Sequence, residues 1–309
     1  MTQEIKHYPV MCREVLNLLD LKNKKIIVDC TVGIGSHAHK FLEVMDPDAF
    51  FIGIDRDEES LNIARKKLAQ FKGKFSLIQG DFSQIDALLK NSRLKEKSSF
   101  PDNIFGVDIF FFDLGISTYQ LNRPERGFSF LKEGPLDMRM DRNYFLSAYD
   151  LVNNLSEEEL INIFRKYGEE RYARRIARFI IEARKISPIS TTTQLTRVIL
   201  RAAPVRSRRF RIHPATRIFQ ALRIAVNREL GVLEKALSRS ISLLNKGGRI
   251  GVISFHSLED RIVKHTFKSF ASSGTLKILT KKPLTPTESE KEENIASRSA
   301  KLRVAEKIC

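Results

Sequence analysis

The sequence predicts an α/β fold: a doubly wound, mostly parallel sheet carrying an inserted α-helical domain. Three observations support this reading. Strand-like and helix-like patterns alternate through the first 125 residues. The apolar run Ile109-Phe110-Phe111-Phe112, bounded by Asp108 and Asp113, needs burial on both faces, as a central parallel strand has. From about Asp141 to Pro204 the strand signals stop and only helical periodicity remains.

The elements follow in order. Lys25–Cys30 opens the sheet with Ile26-Ile27-Val28. Ser36–Val44 is a helix and Phe50–Asp55 a second strand. Glu58–Phe71 is a helix whose Leu61, Ala64, Arg65 and Leu68 fall at helical spacing. Phe75–Gln79 and Asp108–Leu114 are the third and fourth strands, and the polar stretch Asn91–Asn103 between them is expected to be a surface loop. In the insert, Ser156-Glu157-Glu158-Glu159 is a capping box, with Gly168 as the matching stop. The next helix places Tyr172, Ile176, Phe179, Ile180 and Ala183 on one face and Arg171, Arg174, Arg175, Arg178 and Lys185 on the other. Thr192–Ala203 is a further helix, stopped by Pro204. A long helix from about Ala215 to Leu244 leads back to the sheet and ends at Gly247-Gly248. Arg249–Phe255 is a buried strand, Leu258–Phe270 a helix, and Leu276–Thr280 with Leu302–Ile308 an antiparallel ending. The predicted boundaries are therefore 1–125 and 215–309 for the two parts of the sheet domain, and 126–214 for a basic helical insert.

Charge points to the partner. The chain of 309 residues holds 53 basic and 37 acidic residues, a formal net charge of +16, with pI near 9.8. Between Arg171 and Arg217 there are thirteen Arg or Lys and one acid, Glu182. So concentrated an excess favours a nucleic acid over a merely solvated helical face, and membrane binding would also require exposed apolar anchors. Cys12, Cys30 and Cys309 form no CxxC pair and no zinc spacing, so no metal is assigned and a reducing cytoplasmic location is expected. The first residues lack the apolar stretch of a signal peptide, and no segment approaches the roughly 20 apolar residues that span a bilayer; a soluble protein is expected.

Two places carry ligand chemistry. The first is Asp29-Cys30-Thr31-Val32-Gly33-Ile34-Gly35-Ser36-His37, which leaves the first strand and opens a helix. Gly33 and Gly35 let backbone approach a ligand where a Cβ would collide. Asp55, ending the second strand twenty residues after Gly35, is placed to hold two ribose hydroxyls. Nicotinamide and adenosylmethionine enzymes share this pattern. The third glycine that favours a dinucleotide is here Ala38, which leans the loop toward adenosylmethionine. The second place begins where the fourth strand ends, at Asp113-Leu114-Gly115-Ile116-Ser117-Thr118-Tyr119-Gln120, and continues through Arg126-Gly127-Phe128-Ser129-Phe130 to Asp137-Met138-Arg139. Open parallel sheets bind ligands beyond the carboxyl ends of their strands, where Asp113 and Gly115 fall.

These runs, together with His213-Pro214-Ala215-Thr216-Arg217 and Ser254-Phe255-His256-Ser257-Leu258-Glu259-Asp260-Arg261, resemble the signature of the ribosomal RNA small-subunit methyltransferase H family over nearly the whole chain. The resemblance implies a class I S-adenosylmethionine methyltransferase fold, S-adenosylmethionine as cofactor, and methylation of N4 of a cytidine in the decoding region of small-subunit ribosomal RNA. The family's cofactor residues match at Gly35, Ser36, His37, Asp55, Phe82, Asp113 and Gln120. Ser36 stands where the family usually has a second glycine. Thr118 and Tyr119 replace an expected Ser and Pro, and Ile295-Ala296-Ser297 a more basic stretch.

The chemistry of the proposed reaction selects further candidates. The N4 lone pair is conjugated into the ring, so an acceptor near the amine favours the reactive geometry, and Asp113 is the acceptor named first, with cofactor holding as its competing role. The target base must leave any stack to be reached. Phe128, Phe130 and Tyr119 are the candidate stacking partners, and Arg126, Asp137 and Arg139 the candidate readers of base edges or phosphates. His213, Arg217 and His256 join them from the later motifs. No Pro-Cys follows a strand, which argues against carbon-5 methylation. DNA N4-cytosine or N6-adenine methylation, an RNA-binding assembly factor and a nicotinamide oxidoreductase are the alternative functions. The partner implied by the resemblance is small-subunit ribosomal RNA or the small ribosomal subunit, and the chain itself is expected to be a monomer or homodimer.

Overall fold

A computed structural model describes residues 9–91, 106–204 and 213–309. The sheet strands are β1 (Ile26–Asp29), β2 (Phe50–Asp55), β3 (Phe75–Gln79), β4 (Val107–Asp113), β5 (Leu244–Ser254), β6 (Leu276–Ile278) and β7 (Lys301–Lys307). Their order is β3-β2-β1-β4-β5-β7-β6. Pairings from β3 to β5 are parallel, and β7 runs antiparallel to both β5 and β6. The order turns back between β1 and β4, which makes their carboxyl ends the topological switch point.

Alternation along β4 explains why it is apolar throughout. Phe110 and Phe112 enter one core cluster with Val28, Ile52 and Val252, while Ile109 and Phe111 enter another with Ile27, Phe51 and Ile253. Each face is covered by helices, so neither set is wasted on solvent. The covering helices of this unit are α1 (Cys12–Leu19), α2 (Ser36–Val44), α3 (Glu58–Lys67), α4 (Ile85–Asn91), α11 (Glu229–Leu243), α12 (Ser257–Ser272) and α13 (Glu288–Glu293).

The helical part comprises α5 (Thr118–Asn122), α6 (Ala148–Asn154), α7 (Glu157–Gly168), α8 (Ala173–Ile186), α9 (Thr192–Ala202) and α10 (Pro214–Asn227). Capping boxes on Ser117, Ser147, Ser156 and Thr191 start four of them. Ile176, Ile180, Leu195, Phe164 and Phe219 close a core of their own.

Several boundaries differ from the sequence expectation. The chain divides into one unit of residues up to Gly115 with Leu230–Cys309, and a second of Ile116–Glu229. The borders thus fall before α5 and after α10, rather than at 126 and 215, and α10 packs on α6, α7 and α9. The long helix expected from Ala215 to Leu244 is two helices, broken where Arg228 takes φ +52°. Gly168 does not supply the left-handed stop of α7. Glu169 does, at φ +47°, while a Cβ on Gly168 would lie 2.7 Å from the Arg217 carbonyl oxygen. Gly247 at φ +76° lies inside β5, where the pairing with β4 jumps from Val107↔Leu244 to Ile109↔Arg249. The expected loop Asn91–Asn103 falls, after its first residue, outside the described residues, as do Arg206, Arg208, Arg209 and Arg211.

Candidate active site

Three strands of the sheet end in an acid: β1 in Asp29, β2 in Asp55 and β4 in Asp113. The loop after β1 is stitched to both neighbours. Val32 N–H donates to the Ile54 carbonyl at 3.0 Å and Gly33 N–H to Asp55 Oδ2 at 2.7 Å. On the other side, Thr31 Oγ1 accepts the Asp113 N–H at 2.6 Å. Gly33 and Gly35 take φ +51° and +80°, and a Cβ on Gly35 would sit 3.3 Å from Ala64 Cβ on α3. Glycine is therefore demanded at Gly35 by conformation and by space together.

Around that loop the carboxylates are poorly compensated. Burial pushes the Asp29 carboxyl up to about 7, and the charge of Asp55 adds to it. Asp55 is pushed up to about 6, again by burial first, although Asp57 N–H and Gly33 N–H both donate to it. Asp113 is held well above the usual carboxylate range by burial, then by the charges of Asp29 and Glu259. Its Oδ1 is buried and accepts no hydrogen bond among the described residues, and Oδ2 lies 3.5 Å from His37 Nε2. His37 is buried at the start of α2, its ring 4.8 Å from that of Phe111 and 6.0 Å from that of Phe41. Buried and half-buried carboxylates with acceptor capacity to spare, in a strongly basic chain, suit a ligand that brings positive charge and N–H donors of its own. A sulfonium carrying an α-amino group has both, so S-adenosylmethionine fits these residues.

The remaining expected cofactor positions are dispersed around the strand ends. Ser36 Oγ accepts from Lys67 Nζ at 2.9 Å, and burial, then the Lys40 charge, lowers the Lys67 ammonium below its usual range. That lysine lies on α3 and carries no sequence signal. Phe82 follows β3, packs edge-on to Phe112 at 5.7 Å and has the Arg56 guanidinium 5.5 Å above its ring. Arg56 is itself held by Asp81 at 2.6 Å. His256 caps α12, its Nδ1 accepting the Glu259 N–H at 3.4 Å, while Glu259 Oε2 accepts from Phe255 N–H at 2.8 Å. A capping box thus occupies the His256 expected to meet RNA.

In the second unit the expected RNA residues separate into buried and exposed. Gln120 is buried, its Oε1 accepting from Ser117 N–H in the cap of α5. Arg126 is only 1 % exposed and donates to the carbonyls of Arg139 and Met140, each at 3.0 Å. Phe128, 5 % exposed, belongs to the core. Both were expected to meet RNA; here Arg126 acts as an internal clamp of the loop and Phe128 as its apolar anchor. Asp137 and Arg139 hold each other through two bonds of 2.8 Å. Phe130 and His213 come together, rings 4.7 Å apart and within 16° of parallel, with Phe219 edge-on behind Phe130 at 5.3 Å. His213 is exposed, and Arg217 one turn later donates to the Glu169 carbonyl. On α8, Arg174, Arg175, Arg178 and Lys185 are exposed; Arg178 pairs with Glu182 and Arg175 lies over Phe179.

A mostly parallel sheet whose switch point gathers buried acids around a glycine loop defines a class I methyltransferase. Residues 4–308 match the model of the MraW methylase family. The chain is 49% identical over 304 residues to ribosomal RNA small subunit methyltransferase H of Persephonella marina, covering 98% of this chain and 100% of that one. It is 45% identical over 319 residues to the protein of that name from Halothermothrix orenii, covering 98% and 99%. An rRNA methylase structure from Streptococcus thermophilus overlays at TM-score 0.44 and 10% identity, over 96% of this chain and 94% of that one. The chain belongs to the MraW methylase family. It is a methyltransferase, and its methyl donor is S-adenosylmethionine.

Proposed function

We propose that this enzyme methylates small-subunit ribosomal RNA, at N4 of a cytidine in the decoding region. The observation that carries the reading is Asp113: an acceptor oxygen, buried and unpartnered among the described residues, at the end of the central strand of a methyltransferase sheet. Relatives named for the small-subunit RNA support the substrate.

The bound donor supplies an electrophilic methyl group on its sulfonium. Asp55 would hold ribose hydroxyls with the acceptor capacity that Gly33 and Asp57 leave free, and Phe82 would flank the adenine. Gly35, Ser36 and His37 would close the loop against the donor. Asp113 Oδ1 accepts a hydrogen bond from the N4 amine and turns its lone pair out of conjugation. With the methyl group passing from sulfur to nitrogen and the donor left as a neutral thioether, the same carboxylate would take the amine proton, a transfer suited to an acid held well above the ordinary carboxylate range. The exposed arginines of α8, with His213, Phe130 and Arg217, contact the RNA. No helix among the described residues is long and apolar enough to cross a membrane.

The test is methyl transfer from labelled S-adenosylmethionine to unmodified small ribosomal subunits and to their naked RNA, followed by nucleoside analysis. Labelled N4-methylcytidine is the expected product. A different methylated nucleoside would overturn the N4 assignment while keeping the donor, and label in neither substrate would overturn the RNA reading.

A further inference from the structure

The β1–β4 pairing runs from Ile27↔Ile109 to Asp29↔Phe111, and Cys30 N–H still donates to the Phe111 carbonyl at 2.9 Å. Beyond that point the backbone ladder stops, because the chain after Cys30 turns into the glycine loop. The next β4 amide on that side, Asp113 N–H, is carried instead by a side chain, Thr31 Oγ1 at 2.6 Å. Among the described residues that hydroxyl's own proton has one acceptor in reach, Asp29 Oδ1 at 3.4 Å, which also accepts the Thr31 N–H at 2.9 Å. With its oxygen occupied by Asp113 and its proton directed to Asp29, the hydroxyl is fixed in orientation. On its other edge Asp113 is held by β5, through the pairing Asp113↔Ile253 and the Leu114 N–H to Ile253 carbonyl bond at 3.0 Å.

We propose that Thr31 is a positioning residue for methyl transfer: its hydroxyl extends the β1–β4 ladder by one bond and fixes where Asp113 presents its free oxygen. The same residue begins the loop whose Val32 and Gly33 are tied to β2. Ordering of that loop around the donor and placement of the acceptor are therefore one mechanical event. A displacement of about 1 Å in a reacting group costs on the order of 10²-fold in rate, so one backbone bond at this position is enough to matter. Asp29 serves as the anchor of Thr31, which explains a buried acid that no substrate role requires. The inference rests on the reading of Asp113 as the acceptor of the N4 amine.

The experiment compares Thr31→Val, Thr31→Ser and Asp113→Asn with the unaltered protein. Amide exchange at the β4 terminus is read in the free protein, and donor affinity and single-turnover methylation of unmodified subunits are read separately. Thr31→Val is expected to speed exchange at Asp113 at least tenfold and to slow single turnover by on the order of 10²-fold, with donor affinity changed only a few-fold. Thr31→Ser, which keeps the oxygen, is expected to restore both. Where Thr31→Val does not fold, Thr31→Ala removes the hydroxyl without adding bulk. Unaltered exchange and turnover in Thr31→Val would overturn the proposal. So would a Thr31→Ser variant as impaired as Thr31→Val, since the methyl group would then be what matters, or a collapse of donor affinity that accounts for the whole loss. Full turnover in Asp113→Asn would overturn the reading of Asp113 instead, leaving the exchange measurement to report on the Thr31 bond alone.

Discussion

His37 Nε2 lies 3.5 Å from Asp113 Oδ2, and its ring packs with those of Phe41 and Phe111, which also contact each other. Burial and the charges of Asp29 and Glu259 disfavour the charged form of that carboxyl, and an Nε2–H directed at Oδ2 from this distance would favour it. The acceptor must be ionised to take the N4 proton, so the rate is expected to rise with pH through a value above the ordinary carboxylate range. Removing the imidazole takes away its support for the anion and moves that limb to higher pH. His37→Phe keeps the ring volume and is expected to shift the acidic limb of the single-turnover profile upward by about one unit. A limb that stays in place would detach His37 from the proton affinity of Asp113.

Asp113→Asn retains shape and one acceptor oxygen but cannot take a proton. Turnover is expected to fall by roughly 10²–10⁴-fold, and the acidic limb to disappear from what remains. Equilibrium binding of the donor and a single-turnover assay on unmodified subunits separate this loss from weakened binding.

Asp29 makes the stability of the free protein depend on pH in a definite direction. Its carboxyl rises from an ordinary 3.8 to about 7 on folding, so between those values the folded state holds a proton that the unfolded state has released. Stability from this group is full below about pH 4 and declines as pH rises to about 7. Asp29→Asn escapes the decline. Relative to the unaltered protein it is expected to gain stability across that window, by about 4 kcal/mol at most. Urea midpoints measured from pH 4 to pH 8 check both the sign and the window.

Gly35→Ala and Gly73→Ala form a matched pair. Both glycines have left-handed φ, +80° and +88°, but a Cβ meets Ala64 at 3.3 Å in the first case and nothing within 4 Å in the second. Both are expected to lose about 1–2 kcal/mol from backbone strain. Gly35→Ala alone is expected to weaken donor binding, because relief of the contact with α3 moves the loop. Denaturation curves and donor titrations on the two proteins test the difference.

Arg126→Ala and Arg174→Ala contrast a clamp with a contact. Arg126 is buried and spans two carbonyls, so its loss is expected to cost at least about 2 kcal/mol of unfolding free energy. Arg174 is exposed, so its removal is expected to leave stability within about 0.5 kcal/mol. It should instead reduce the salt dependence of RNA binding by roughly one unit of slope. Melting temperatures and affinities across a salt series distinguish the two.

Ser36–Val44, Phe50–Asp55 and Phe75–Gln79 were legible residue for residue, since apolar runs and helical periodicity are short-range properties. So were the boxes at Ser156 and the glycines of the loop, whose chemistry is complete within a few residues. Arg228 was not: nothing in its neighbours distinguishes a helix that continues from one that breaks where the chain leaves one packed unit. Arg126 and Phe128 illustrate the same limit at the candidate site. Arginine and phenylalanine in a loop serve equally as a reader and stacking platform or as a clamp and anchor, and only burial tells which.

The sequence alone determined the succession of the seven strands, the acids at the strand ends and the basic helical face. Each is specified by periodicity or by residue type at a fixed local spacing. The tertiary structure decided which of those residues meet. Thr31 and Asp113 stand 82 positions apart and share a 2.6 Å bond, and Phe130 stacks on His213 from a distant loop. Such contacts are set by sheet order and helix packing, which bring together positions that no local pattern relates.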